Sequence, residues 1–128
     1  MAMSWSAADG FAALRCFSPP DLMADEIILA LCTFPDAEMA RKVACDLVEL
    51  RLAACGNVVP QIHSIYRWQG KIESADEALC IFKLPASGYA EFETKLRSLH
   101  PYDVPEIISC GIEKGLPEYL RWVVESCA

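Results

Sequence analysis

The chain has 128 residues, 54% of them hydrophobic, so it is long enough to form one domain around a substantial core. Its formal net charge is −7 and its 11 basic residues are scattered, which argues against nucleic acid or an anionic membrane as a main partner. No apolar run reaches the roughly 20 residues that a membrane-spanning helix needs. These totals favour a single domain with a hydrophobic core.

The cysteines indicate a reducing compartment. There are seven, an odd number, and no Cys-x-x-Cys pair occurs, so neither a disulfide framework nor a structural zinc knuckle is favoured. Several lie within apolar runs, which is typical of buried reduced thiols. We therefore expect a cytoplasmic protein, with these cysteines buried: Cys32, Cys45, Cys80 and Cys110.

Residues 1–24 show no sustained hydrophobic period. Their only basic residue is Arg15, which gives weak support to a targeting peptide and leaves organellar targeting open. We expect a flexible extension at 1–24, followed by one domain at 25–128.

The first half of that domain predicts a strand and a helix. The continuous apolar run Glu26–Phe34 predicts a strand buried on both faces. A helix follows, capped at its N-terminus by Thr33 or by Asp36 and ended by Gly56 in a left-handed conformation. Its stripe comprises Ala40, Val43, Ala44, Leu47, Leu50 and Ala54, with Arg51 as the polar member.

A long hairpin comes next. Val58–Trp68 predicts a strand in which Pro60 indicates an edge position or a bulge. Gln69-Gly70 predicts a tight turn into an antiparallel strand. Because Ser74–Glu77 is polar, we expect the hairpin to project beyond the main sheet as an arm.

The segment from His100 to Ile108 holds a histidine and two prolines. Pro101 and Pro105 each push the preceding residue out of the helical region, so the second helix must end near His100. A helix C-terminus favours a protonated imidazole, which is the expectation for His100. Glu106 then begins a fourth strand, and a short helix starts near Pro117.

The order β-α-β-β-α-β plus a last helix predicts an α+β, ferredoxin-like fold, an antiparallel sheet with two helices on one face. This connectivity brings several groups to one end of the sheet. They are Cys32, Tyr66, Trp68, His100 and Glu106.

Five motifs between Glu26 and Val124 carry a family resemblance. They are Leu31-Cys32-Thr33-x-Pro35-Asp36, Leu52-Ala53-Ala54-Cys55-x-Asn57, Ser64-Ile65-Tyr66-x-Trp68-x-Gly70-Lys71-Ile72, His100-Pro101-Tyr102-x-x-Pro105-Glu106-Ile107 and Pro117-Glu118-Tyr119-Leu120-x-Trp122. In this order they closely resemble the CutA family of divalent-cation tolerance proteins.

The resemblance implies a homotrimer of ferredoxin-like subunits, similar in architecture to PII signalling proteins. The arm would pair with a neighbouring subunit and so protect its free edges, with Tyr66 and Trp68 in the trimer interface. It also implies tolerance of copper and other divalent cations. The copper site of bacterial members uses the cysteine of the first strand and two adjacent histidines; Cys32 and His100 match, whereas Leu99 stands at the first histidine.

Two binding hypotheses follow, and structural roles are the alternative explanation for the same residues. Cys32 and His100 with Glu106 could hold copper or zinc, although a cysteine in a core strand is equally a buried hydrophobe and His100 could bond a backbone carbonyl. Alternatively, an inter-subunit cleft lined by Lys83, His100, Tyr102 and Glu106 could bind a small anion, as in a PII-like sensor or hub.

A scaffold without any ligand is the third possibility. We interpret His63 and Cys55 as structural residues. No catalytic motif is present, so we expect no enzymatic activity and no cofactor needed for folding.

Overall fold

The computed structural model describes residues 26–128. Its elements are β1 (Ile27–Phe34), α1 (Ala37–Glu49), β2 (Cys55–Trp68), β3 (Lys71–Pro85), a 3-10 turn (Ala86–Gly88), α2 (Tyr89–Leu99), β4 (Ile107–Gly111) and α3 (Pro117–Ser126). The strand order is β2-β3-β1-β4 with all neighbours antiparallel, which confirms the α+β, ferredoxin-like prediction. The predicted extension at 1–24 lies outside the described residues.

The core lies between one face of the sheet and the helices α1 and α2. On β1, Ala30, Cys32 and Phe34 are fully buried against it. Leu29 and Leu31 point to the opposite, outer face and are only partly buried. The prediction that β1 is buried on both faces is therefore wrong within one chain, because α3 covers only one end of the outer face.

The start of α1 settles the choice of cap. The carboxylate of Asp36 accepts a hydrogen bond from the backbone N–H of Met39 at 2.8 Å, so Asp36 and not Thr33 is the N-cap. The helix ends at Glu49, before the predicted stop, and Arg51 adopts the left-handed conformation with φ 60°.

Gly56 is not the helix cap that the sequence predicts, because it lies within β2. A Cβ atom at this position would stand 3.1 Å from the Ala44 Cβ and 3.2 Å from the Cys80 Sγ. The glycine therefore permits the close approach of α1 to the sheet.

The β2–β3 hairpin forms the predicted arm. Gln69 and Gly70 have φ of 49° and 79°, the signature of a type I′ turn. The register shifts between Val59 and Ile62, around Pro60, and β2 is an edge strand, so both interpretations of that proline hold. β1 ends opposite Ala78, so residues 62–77, the hairpin arm, extend beyond the sheet.

The cysteine prediction is half right. No disulfide is formed by Cys32, Cys45, Cys55, Cys80 or Cys110. Cys32 and Cys80 are fully buried, but Cys45 and Cys110 are exposed, because Cys45 lies on the outer side of α1 and Cys110 on the outer face of the edge strand β4. In the described part of the chain, no helix is long and apolar enough to cross a membrane.

Candidate functional site

A cleft of about 770 Å³ lies between the hairpin arm and the segment that follows α2. Its lining residues are Thr33, Tyr66, Trp68, Ala75, Glu77, Tyr102, Asp103, Val104 and Glu106. The predicted meeting of the arm with the start of the fourth strand is thus observed, although Glu106 immediately precedes β4 and does not begin it.

His100 closes the inner side of this region through both ring nitrogens. Its Nε2 lies 2.7 Å from the Thr33 carbonyl oxygen, and its Nδ1 accepts a hydrogen bond from the Tyr102 N–H at 3.1 Å. Because Nδ1 is an acceptor, Nε2 carries the proton and donates it to Thr33. The ring also stacks on Phe34 at a centroid distance of 4.8 Å.

The expectation of a protonated imidazole at His100 is wrong. Burial lowers the pKa of the ring below its usual value, and this outweighs the opposing effects of the Thr33 bond and the Glu77 carboxylate. His100 is the C-terminal cap of α2, but its contacts exclude water, and desolvation disfavours the charged form.

Cys32 lies on β1 and faces the core. Burial, with smaller effects of Cys80, Glu106 and Glu77, raises the pKa of its thiol to about 12. The Sγ atom lies 3.7 Å from the Thr33 carbonyl oxygen, the atom that also accepts from His100. The thiol is therefore protonated at neutral pH.

The three predicted metal ligands surround one end of β1 without forming a coordination site. The Cys32 thiol is protonated, and both nitrogens of His100 have backbone partners. Among residues 26–128 there is no group of three or more potential ligands placed to hold a metal ion. In this conformation the residues do not fit a bound metal, and the assignment of Cys32, His100 and Glu106 as ligands stays a prediction.

The cleft itself is acidic and aromatic. Three carboxylates line it, from Glu77, Asp103 and Glu106, and none of its described lining residues is basic. Tyr102 donates a hydrogen bond from its hydroxyl to Glu77 Oε2 at 3.0 Å and so links the corner to the arm. Burial and this bond raise the pKa of Tyr102 to about 12.

Lys83 lies at the other end of the sheet. It pairs with Leu29 on β1, four residues from Thr33. Its Nζ donates to Asn57 Oδ1 at 2.6 Å and lies 6.0 Å from the Tyr119 ring centroid, so Glu106 is not its partner. Within one chain, the predicted ligand set of Lys83, His100, Tyr102 and Glu106 is therefore not brought together.

Comparison with known proteins decides the family. The family model described as CutA1 divalent ion tolerance protein matches residues 28–126, well over half of the chain. The chain belongs to the CutA1 family.

Curated CutA relatives come from several kingdoms. The divalent-cation tolerance protein CutA of Thermus thermophilus is 44% identical over 102 residues, covering 80% of this chain and 97% of that protein. The CutA homolog of Xenopus laevis is 48% identical over 94 residues, covering 73% of this chain but 62% of that protein. The chloroplastic CutA of Arabidopsis thaliana is 39% identical, covering 77% of this chain and 54% of that protein. The chain thus spans less than two thirds of these animal and plant relatives.

Solved CutA1 structures share the fold. The crystal structure from Ehrlichia chaffeensis superimposes with a TM-score of 0.78 at 30% identity, covering 81% of this chain and 97% of that one. The structure from Thermus thermophilus gives a TM-score of 0.76 at 43% identity, with 78% and 97% covered.

Two residues of the cleft in this CutA1 chain were missed by sequence reasoning, Glu77 and Asp103. Glu77 could have been found, because the Gln69-Gly70 turn fixes the register and places Glu77 opposite Ile62, on the arm face of Tyr66. Asp103 lies in the irregular segment after α2, where no periodic pattern indicates which way a side chain points.

Proposed function

We propose that this CutA1-family chain is a homotrimeric divalent-cation tolerance protein that binds its cation, with copper as the first candidate, at the acidic cleft. The observation that carries the proposal is the cleft lining: Glu77, Asp103 and Glu106 supply carboxylates and no described residue of the lining supplies a positive charge. Such a concave negative surface raises the local concentration of cations. Since the described part of one chain offers no compact set of three ligands, water or a neighbouring subunit completes the coordination.

His100 acts in this proposal as a positioning residue. Its neutral ring fixes the Thr33 carbonyl on one side and the Tyr102 backbone on the other. Tyr102 in turn holds Glu77 through its hydroxyl. In this proposal the Glu106 carboxylate, and not an imidazole, is the first ligand of the cation. The leucine at position 99, where bacterial members have a histidine, is therefore less important.

We propose a binding role and not a catalytic one. The Cys32 thiol, with a pKa of about 12, is a poor nucleophile, and His100 has no free nitrogen to act as its base. The free thiols of the described residues support a reducing compartment such as the cytoplasm; they are Cys32, Cys45, Cys55, Cys80 and Cys110.

The trimer is supported by apolar surface that a single chain leaves open. On the hairpin arm, Ile65, Trp68 and Ile72 are 70%, 61% and 64% exposed. Both edges of the arm lack a neighbouring strand among the described residues, since β1 ends opposite Ala78. Free edges beside exposed apolar side chains favour pairing with another copy.

Calorimetric titration of the reduced, metal-free protein with cupric and zinc ions tests the cation proposal. We expect saturable binding that is weakened roughly 10-fold or more by Glu106→Gln and by Glu77→Gln, because each removes a charge from the cleft. Glu118→Gln, an exposed carboxylate on α3, is the matched control and should bind as the parent does. If neither cleft substitution weakens binding, or if Cys32→Ser alone abolishes it, the cation binds outside the cleft.

A PII-like sensor of small molecules is the second candidate, because Tyr66, Trp68 and Tyr102 line the same cleft. Their rings suit a flat organic ligand, and the surrounding carboxylates favour a neutral or cationic one over the anion that Lys83 was expected to hold. A thermal-shift screen of metabolites tests this. Stabilisation that Tyr102→Ala removes would support the sensor, and a screen without any stabilising compound would count against it.

A further inference from the structure

Lys83 lies on the outer face of the sheet, at the end of β3 that is remote from the acidic cleft. It pairs with Leu29 of β1, four residues before Thr33, which corresponds to about 13 Å along the strand. Within residues 26–128 no carboxylate forms an ion pair with its ammonium group. Lys83 therefore carries a positive charge that no described side chain neutralises.

The amide of Asn57 is oriented by its hydrogen bond with Lys83. An ammonium group can only donate hydrogen bonds, so the atom 2.6 Å from Nζ is the acceptor oxygen Oδ1. The two N–H donors of the amide then point away from the lysine, and the described part of the chain offers them no hydrogen-bond acceptor. Two of the three N–H donors of Lys83 are likewise unused by those residues. Unused donors of both side chains thus lie next to one another.

Tyr119 of α3 adds a third donor beside the lysine. Its ring centroid lies 6.0 Å from Lys83 Nζ, and its hydroxyl lies 3.7 Å from the Sγ of Cys55, the residue opposite Lys83 on β2. Burial, with a smaller effect of the Cys55 thiol, raises the pKa of Tyr119 to about 12, so the hydroxyl keeps its proton at neutral pH. Because sulfur is a weak hydrogen-bond acceptor, the O–H can still donate to a stronger one.

The charge around these three side chains favours an anion. Asn57, Lys83 and Tyr119 are all partly exposed, so a solute can reach them from the solvent. On the same helix as Tyr119, Arg121 is 1% exposed, and its Nε and Nη1 have no hydrogen-bond partner among residues 26–128. Two positive charges without a carboxylate partner create a local positive potential.

The shape and donors of the cluster indicate the class of anion. A carboxylate presents two acceptor oxygens and a single negative charge, which match N–H and O–H donors grouped around one accessible ammonium. The rings of Tyr119 and Trp122 lie side by side at a centroid distance of 5.5 Å and offer apolar surface for the rest of the ligand.

We propose that Asn57, Lys83 and Tyr119 form a second binding site, which takes the carboxylate of a small monocarboxylic acid with an apolar body. The anion that the sequence analysis assigned to Lys83 is thereby retained, but with different partners and at the other end of the sheet. This site is separate from the acidic cleft and does not depend on the function proposed there.

Calorimetric titration of the full chain with benzoate at constant ionic strength tests the proposal, and benzamide serves as the uncharged counterpart of similar shape. We expect one benzoate per chain and binding of benzamide that is weaker by roughly 10-fold or more, because the amide lacks the charge. Lys83→Met removes the positive charge at similar side-chain length and should weaken benzoate binding by roughly 10-fold or more. Tyr119→Phe keeps the ring and should cost roughly 2–10-fold.

Asn57→Asp separates loss of the site from loss of the fold. It keeps an acceptor for Lys83 but neutralises the lysine from within the chain, so the variant should remain folded in thermal unfolding and should lose benzoate binding as Lys83→Met does. Lys71→Met removes an exposed lysine at the turn of the arm and is the matched control, which should bind as the parent does. Glu106→Gln, in the acidic cleft, should also leave benzoate binding unchanged.

Three results would overturn the proposal. The first is no saturable binding of benzoate to the parent, or equal binding of benzoate and benzamide. The second is benzoate binding that Lys83→Met and Asn57→Asp leave unchanged. The third is a crystal structure grown with benzoate in which a carboxylate of a neighbouring copy, and not the ligand, contacts Lys83 Nζ.

Discussion

At the scale of single residues, His100 shows how burial overrides a local rule. The sequence correctly places it at the end of a helix, where the dipole favours a positive charge. What the sequence does not reveal is the Phe34 ring stacked on it and the Thr33 carbonyl that accepts its N–H, both distant in the chain. Its position was predictable, and its charge depended on tertiary contacts.

The neutral state of His100 in the folded protein predicts how the free energy of unfolding depends on pH. The pKa of His100 is lower in the folded protein than in the unfolded chain, so the unfolded state binds the proton more readily. The contribution of neutral His100 to the free energy of unfolding is therefore complete above the unfolded pKa of about 6.5. It is lost as the pH falls below that value, by at most about 1.4 kcal/mol per pH unit.

In denaturant unfolding between pH 8 and pH 5, we compare the free energy of unfolding of the parent with that of His100→Gln. The parent should be the more stable protein at pH 8, and the difference should become smaller as the pH falls. His63→Gln removes the other histidine, on the exposed arm, and should leave that pH trend in place. An advantage that grows at low pH would mean that His100 is protonated in the fold.

Gly56 is the other residue whose role comes from packing. Gly56→Ala places a methyl group about 3.1–3.2 Å from Ala44, Cys80 and Phe82, so we expect a loss of roughly 1–3 kcal/mol in the free energy of unfolding. Gly111→Ala, also in a strand but with no atom within 4 Å of the added Cβ, is the control for the change in backbone entropy. Equal effects of the two substitutions would argue against tight packing of α1 on the sheet.

At the scale of elements, the sequence predicts most of the fold because each boundary carries a local chemical signal. Pro and Gly mark the turns, and the Gln69-Gly70 turn fixes the register of the whole arm. The errors occur where two local signals compete. Gly56 resembled a helix cap, but the chain had already turned at Arg51, which takes the left-handed conformation that glycine usually supplies.

The N-cap of α1 allows a quantitative check at this scale. Asp36→Ala removes the acceptor for the Met39 N–H and should lower the free energy of unfolding by about 1 kcal/mol. Asp36→Asn keeps an acceptor oxygen and should retain most of that stability. Thermal or denaturant unfolding measures both, and an alanine variant as stable as the asparagine variant would contradict the capping role.

At the scale of the whole molecule, a single chain leaves some apolar surface uncovered, and the sequence alone does not show what covers it. Leu31 and Ile81 on the outer face are apolar yet only partly covered, and Ile65 on the arm is exposed. Their apolar character is visible in the sequence, and so is the arm. Which residues line the cleft also depends on the segment after α2, and the side-chain directions in that irregular segment do not follow from periodicity.

The proposed trimer should have a mass in sedimentation equilibrium of three times the 14.2 kDa chain at micromolar concentration. Ile65→Lys introduces a charge into the proposed contact and should shift the protein to a lower mass. Leu50→Lys, an exposed apolar residue at the end of α1, should leave the trimer intact. A parent protein that sediments as a monomer would refute the assembly.

The proposed function depends on a cation bound in the acidic cleft. Anomalous diffraction from crystals of the protein soaked in cupric ion, collected on both sides of the copper absorption edge, tests that position most directly. We predict a peak in the acidic cleft, within coordination distance of Glu106 or Glu77, with His100 still bonded to Thr33. A peak between Cys32 and a rotated His100, or no copper peak in the cleft, would contradict the account.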